Sequence, residues 1–139
     1  MKATVTLDQG LTFMGTADSG FTVQMDASPS VGGNDSGIRP MELLLIGLGG
    51  CTAIDVLSIL RKKRQDITGM KVNLDSRQTS EHPRVFTHIL VKYIVRGKNV
   101  DPRAVGRAVE LSVTKYCPVQ AMLGSVVEID HSYEIIEEA

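Results

Sequence analysis

RPMELLLIGLGGCTAIDVLSIL, Arg39 to Leu60, is the stretch around which the rest of the chain must be arranged. Pro40 suits the first position of a helix, where a backbone N–H has no intrahelical partner anyway. Glu42 falls in the first turn, where its charge complements the helix dipole. The pattern continues through Leu57 and Leu60 into RKKRQD, a basic last turn, so it predicts a helix over Pro40 to Gln65. Such a helix is ~39 Å long at 1.5 Å per residue. Its most apolar part, Leu43 to Ala53, is 11 residues bounded by Glu42 and Asp55, which is short for a membrane span and suits a buried core helix. A helix apolar over so much of its circumference needs cover on most sides.

Outward from the helix, the patterning is that of strands. KATVTL (Lys2 to Leu7), LTFMG (Leu11 to Gly15) and FTVQMD (Phe21 to Asp26) alternate with period two between DQG and ADSG turn signals, giving an antiparallel meander. Ala27 to Pro40 is rich in Gly, Ser and Pro and reads as a mobile loop of functional length. After the helix, Met70 to Ser80 and Val85 to Gly97 form two long strands joined by EHPR. Asp101 is an N-cap with Pro102 at the first helical position, and Val105, Val109 and Val113 keep helical spacing up to Tyr116. Cys117-Pro118 interrupts this pattern; Val119 to Gly124 is a short helical piece and Val126 to Ile136 a last strand. The order βββ-α-ββ-αα-β describes a single α+β domain over residues 1–139. Six thin strands leave much of the central helix bare, which predicts a two-fold homodimer with the central helices sandwiched between sheets.

Composition narrows the function classes. The formal net charge is -1 and no basic block occurs, so neither nucleic acid nor an anionic membrane is an expected partner. Trp is absent and aromatics make up 4%, which leaves no stacking platform for bases. The N-terminus MKATVTLDQG lacks the apolar stretch of a secretory signal, so the expected location is the cytoplasm. Cys51 and Cys117 are the only cysteines, and a structural disulfide is not expected in that compartment. His82, His88 and His131 lie scattered among strands, so no metal and no cofactor is expected. No Gly-x-Ser-x-Gly elbow appears, and Ser30 to Gly37 (SVGGNDSG) lacks the lysine of a phosphate-cradling loop.

The two thiols are the chemically promising groups. Cys51 follows Gly49 and Gly50 in mid-helix; the glycines permit either a tight helix contact or close approach of a substrate. A mid-helix thiol gains nothing from a helix end and needs a cation or donors from elsewhere to become acidic. Cys117 precedes Pro118 as an N-cap, with its sulfur near free amides of the following helix, so local electrostatics rank it the more acidic thiol. Glu42 lies nine residues before Cys51, on the opposite face and ~13 Å away along the axis. It acts on a thiol only in trans, or by orienting a cation of a neighbouring site; otherwise it serves the helix dipole.

RPMELLLIGLGGCTAIDVLSIL followed by KYCPVQAML (Lys115 to Leu123) resembles the OsmC/Ohr family, and more closely its YhfA-like branch. The resemblance covers essentially the whole chain, including strand order, the Pro-x-Glu-Leu-Leu helix start, the Gly-Cys pair and the Cys-Pro junction. It implies an intertwined homodimer with active sites at the subunit interface, and thiol-dependent reduction of small organic hydroperoxides. By that analogy Cys51 is the peroxidatic thiol, Cys117 resolves its sulfenic acid to a disulfide, and an external dithiol reduces the disulfide. The chain departs from the peroxidase pattern twice. No arginine stands before Arg39, so the substitute cation is Arg39 on the Gly-rich loop; and Met41 holds the place after the proline, with Glu42 one residue later. Two other readings stay open: a dimeric module that binds or senses a small apolar or electrophilic ligand without turnover, and a dimer whose thiols are simply core residues.

Overall fold

Three strands open the chain: β1 (Ala3–Gln9), β2 (Thr12–Ala17) and β3 (Thr22–Met25). The computed structural model describes all 139 residues, in two compact units, Met1–Ile46 and Gly47–Ala139. In the first unit the three strands form an antiparallel sheet in the order β1-β2-β3, with Val5 opposite Gly15 and Phe13 opposite Met25. This is the expected meander, each strand displaced from its sequence reading by one or two residues. Val5, Leu7 and Phe21 are exposed, so the sheet keeps an uncovered apolar surface.

The Gly-rich segment after β3 is not the mobile loop its composition suggests. It is wrapped around Asp26, which is only 3% exposed. One Asp26 oxygen accepts hydrogen bonds from the Ser36 hydroxyl (2.6 Å), the Thr12 hydroxyl (3.0 Å) and the Asn34 and Ser36 amides; the other accepts from the Ala27 amide (2.7 Å). These donors, the Ser36 hydroxyl foremost, hold the carboxyl well below the usual carboxylate range even though burial pulls the other way. A Cβ at Gly33 would overlap the Ala27 carbonyl, so close backbone approach, not looseness, requires glycine there.

Helix α1 (Pro40–Lys62) begins in the first unit and runs into the second. It ends three residues before the predicted Gln65, because Arg64 adopts a left-handed backbone (φ 59°). The Gln65 N–H then bonds the Leu60 carbonyl and the Arg64 N–H the Arg61 carbonyl, closing the helix in a Schellman motif. No glycine marks this cap, so the sequence concealed it. In the second unit follow β4 (Asp66–Gln78), β5 (Phe86–Lys98), α2 (Pro102–Leu111), a π-helical turn (Ser112–Tyr116), α3 (Pro118–Leu123) and β6 (Glu128–Glu137). The sheet order is β4-β5-β6, with β4 antiparallel and β6 parallel to β5. A parallel pair needs a crossover connection, which α2 and α3 supply.

The core of this unit follows from two periodicities. On β5, Ile89, Val91, Tyr93 and Val95 alternate inward and are fully buried. On α1, Leu48, Thr52, Val56 and Leu60 recur every fourth residue and form its buried stripe. Gly49 sits where an added Cβ would come within 2.6 Å of the Leu74 side chain on β4, so this glycine serves helix–sheet packing. On α2, Ala104, Val105, Ala108 and Val109 are buried, whereas Val113 lies past the helix in the π-helical turn. Opposite this stripe Ile54 is bare, at 72% exposed, and towards the helix start Leu44 and Ile46 are 47% and 55% exposed. Taken over its whole length, rather than over Leu43 to Ala53, α1 is long and apolar enough to cross a membrane. Its Leu48-Thr52-Val56-Leu60 stripe is nonetheless occupied by core packing.

Asp26→Asn is expected to lower the thermal midpoint at neutral pH and to open the Ala27–Pro40 segment to limited proteolysis. Because the folded carboxyl titrates below its unfolded value of about 3.9, its stabilisation is present above that pH and fades as pH falls towards the folded value. Thermal scans of both proteins should therefore converge in strong acid; equal midpoints at neutral pH would remove Asp26 from this role.

Candidate functional site

The second unit brings the two thiols together. Cys51 and Asp55 are four residues apart on α1 and so share a face. Cys117 is carried to them by the end of α2, where the helix widens into the π-helical turn and the Cys117 N–H bonds the Ser112 carbonyl five residues back. The Cys51 sulfur, the Cys117 sulfur and an Asp55 carboxylate oxygen all lie within 4.8 Å of one another. Both cysteines are free; Cys51 is half-buried and Cys117 is 3% exposed. These three groups are one donor short of a closed tetrahedral zinc set, and the Asp55 carboxylate is already engaged by Ser112.

Cys117 is the N-cap expected of it: its sulfur accepts a hydrogen bond from the Gln120 N–H at 3.3 Å. It is not the acidic thiol that this cap suggested. Burial pushes the Cys117 thiol up, and its hydrogen bond and charge interaction with Cys51 push the same way; the Gln120 and Val119 amides only partly offset them. A six-residue helix supplies too little field to win against desolvation beside a second thiol.

Behind the thiols runs a chain of buried hydrogen bonds. The Ser112 hydroxyl donates to Asp55 Oδ2 at 3.0 Å and pairs with the Thr52 hydroxyl at 2.8 Å. Thr52 pairs with the Tyr93 hydroxyl at 2.7 Å, and Tyr93 with His131 Nδ1 at 3.1 Å. His131 Nε2 reaches Gln120 Oε1 at 3.0 Å, and the Gln120 backbone is the donor to Cys117. The circuit thus closes on the thiol pair. Burial pushes the Tyr93 hydroxyl up to about 12, with the Thr52 hydrogen bond pulling back and the Cys117 and Asp55 charges adding to the rise. Burial also lowers the His131 imidazole, opposed in part by Asp130.

Glu42 and Arg39, the other residues singled out in the sequence, are engaged elsewhere. Glu42 accepts from the Arg39 N–H at 2.8 Å, the reciprocal half of a capping box at the start of α1. The Arg39 guanidinium pairs with the Asp35 carboxylate and donates to the Gly37 carbonyl at 3.0 Å. Sequence reasoning missed Asp55, Thr52, Ser112, Tyr93, His131 and Gln120. Asp55 was within reach, since its i+4 spacing from Cys51 was visible. The others are joined by sheet register and the π-helical turn, which leave no local signal.

The family model for OsmC-like proteins matches residues 32–132. Protein YhfA of Escherichia coli (strain K12) is 46% identical over 136 residues, spanning 98% of this chain and 98% of that protein. A hypothetical protein from Aquifex aeolicus VF5 has the same fold at a TM-score of 0.87 and 32% identity, over 99% of this chain and 97% of that one. An organic hydroperoxide resistance protein OsmC from Legionella pneumophila, also described as a predicted redox protein, aligns at a TM-score of 0.68 over 96% and 95% of the two chains. At 12% identity that last likeness speaks for the fold alone.

A pH test probes the far end of the chain. Because the folded His131 titrates below its ordinary value, the unfolded protein takes up a proton that the folded one resists, and stability falls as pH drops below about 6.5. The groups facing His131 are Asp130, Tyr93 and Gln120. The loss of thermal midpoint between about pH 7 and about pH 5 should be steeper in the wild type than in His131→Gln. Parallel curves would mean that the imidazole titrates freely.

Proposed function

The chain belongs to the OsmC-like protein family, and we propose that its thiol pair reduces small organic hydroperoxides. The observation that carries this reading is the pairing of a half-buried Cys51 with a buried Cys117 beside one carboxylate. The accessible Cys51 sulfur attacks the distal peroxide oxygen; the O–O bond breaks, the thiol proton leaves with the alcohol, and Cys51 becomes a sulfenic acid. Cys117, screened from solvent, then attacks the Cys51 sulfur and releases water, forming the disulfide. An external dithiol returns both to thiols. The name of the Legionella pneumophila relative as a hydroperoxide resistance protein fits this chemistry.

A homodimer is part of the proposal. A second copy supplies the cover for the bare Leu44, Ile46, Ile54 and Phe21 side chains. The cation for Cys51 is Arg39 from across that dimer, oriented by Glu42, and this role requires the guanidinium to leave its pairing with Asp35. The protein acts in the cytoplasm, where a dithiol reductant is at hand. One observation favours a second reading, a ligand-binding or redox-sensing dimer: the raised Cys117 thiol makes resolution slow unless a base assists it.

Titration of the reduced protein with a stoichiometric alkyl hydroperoxide, followed by intact mass, should consume both thiols and yield an intramolecular disulfide. Cys51→Ser should consume no peroxide, and Cys117→Ser should stop at the sulfenic acid. Two thiols surviving in the wild type, with a ligand-dependent rise in thermal midpoint that persists in Cys51→Ser, would establish the sensing reading instead. Sedimentation should give twice the 15.1 kDa of one chain; a monomer would remove the interface from the mechanism.

A further inference from the structure

The hydrogen-bond chain behind the thiols has one more link than its neutral members can fill. Its five links are Asp55–Ser112, Ser112–Thr52, Thr52–Tyr93, Tyr93–His131 and His131–Gln120. Each link needs one proton. Ser112, Thr52 and Tyr93 supply one each and a neutral imidazole supplies one, four in all. Gln120 Oε1 only accepts, so His131 Nε2 carries its proton and Nδ1 of a neutral ring must accept from Tyr93. Tyr93 then accepts from Thr52, Thr52 from Ser112, and nothing remains for the Asp55–Ser112 link unless Asp55 brings a proton itself. With Asp55 ionised and His131 neutral, every hydroxyl turns towards Asp55 and the Tyr93–His131 link is the one left without a proton. Ser112, Thr52 and Tyr93 are all 2% exposed or less, so water cannot substitute at the middle links.

We propose that Asp55 is the proton acceptor for the resolving thiol, and that the Ser112-Thr52-Tyr93 hydroxyls share the accepted proton with His131. The proposal rests on the reading that Cys117 closes a disulfide on an oxidised Cys51. Its geometric basis is that Asp55 alone joins the two features: its oxygen lies within 4.8 Å of both sulfurs, and it ends the chain that is one proton short. In the resolving step the Cys117 sulfur forms the S–S bond with its electron pair, the S–O bond of the Cys51 sulfenic acid breaks, and the Cys117 proton passes to Asp55. The same proton, or one drawn through the chain, then reaches the departing hydroxide as water. No net proton, oxidant or reductant beyond the hydroperoxide is required. Taking up the thiol proton completes the fifth link, so the buried chain favours the transfer. The raised Cys117 thiol is what makes an internal base necessary.

The test isolates resolution from peroxide chemistry. An aromatic disulfide reagent with a coloured thiolate leaving group first labels the accessible Cys51, releasing one equivalent. Attack by Cys117 then forms the Cys51–Cys117 disulfide and releases a second, with its proton going to the base. In the wild type the second release should be fast and slowed in deuterated water, as expected when a proton moves in the rate-limiting step. Asp55→Asn keeps an oxygen for Ser112 but no base; measured from the mixed disulfide once the first release is complete, it should slow the second release by at least about ten-fold and abolish its isotope effect. Tyr93→Phe, which cuts the chain without touching Asp55, should also slow the second release. Cys117→Ser should show the first release only. A second release equally fast in a folded Asp55→Asn, or a wild type without isotope effect or without a second release, would overturn the proposal. If hydroperoxide leaves the wild-type thiols intact while the second release still depends on Asp55, the peroxidase reading fails and the assignment of Asp55 stands.

Discussion

The buried contact on which the second unit depends is the meeting of three hydroxyls, Thr52 of α1, Tyr93 of β5 and Ser112 of the π-helical turn. Tyr93 bonds Thr52 at 2.7 Å and Thr52 bonds Ser112 at 2.8 Å, with all three groups out of contact with water. An unsatisfied buried hydroxyl costs about 1–3 kcal/mol, so each of the three enforces the placement of the other two. This fixes the azimuth of α1 on the sheet and the position of the α2 end relative to α1. Hydrophobic burial by Leu48, Val56 and Leu60 supplies the larger share of the stability but tolerates rotation and sliding that hydrogen bonds do not.

The thiol pair is a consequence of that registration. Thr52 follows Cys51 directly, and Ser112 stands five residues before Cys117 at the start of the turn that delivers it. Tying Thr52 to Ser112 therefore brings the two sulfurs into range. The π-helical turn matters because the extra residue per turn redirects the chain before Pro118 begins α3. The result sets burial against the helix N-terminus at Cys117, and burial dominates. That balance makes the carboxylate of Asp55, and the hydroxyls that feed it, central to what the pair can do.

Much of this was readable in the order of residues. Pro40 and Glu42 announced the start of α1, and the Asp101-Pro102 pair announced α2; Asp101 is the expected N-cap, while Glu42, read as a dipole partner, also accepts from the Arg39 N–H. Period-two alternation located all six strands. Other features were hidden for identifiable reasons. The α1 terminus uses Arg64 in a left-handed conformation that normally selects glycine. The Gly-Ser loop looked mobile because turn residues give no hint of a single acceptor such as Asp26 organising them. The acidity of Cys117 was misjudged because capping is local and legible, whereas desolvation depends on what packs around the sulfur.

By itself the sequence determined the element order, the apolar stripe of α1, the two separated thiols and the motifs around them, because these follow from periodicity and from residue-specific backbone preferences acting over a few positions. Only the tertiary structure decided that Cys51 and Cys117 meet, that Asp55 joins them, and that Glu42 and Arg39 spend their polar groups on the helix start and its loop. The physical reason is that these outcomes depend on sheet register, on a π-helical turn and on burial. Each is a property of residues dozens of positions apart, and none leaves a trace in any one stretch of chain.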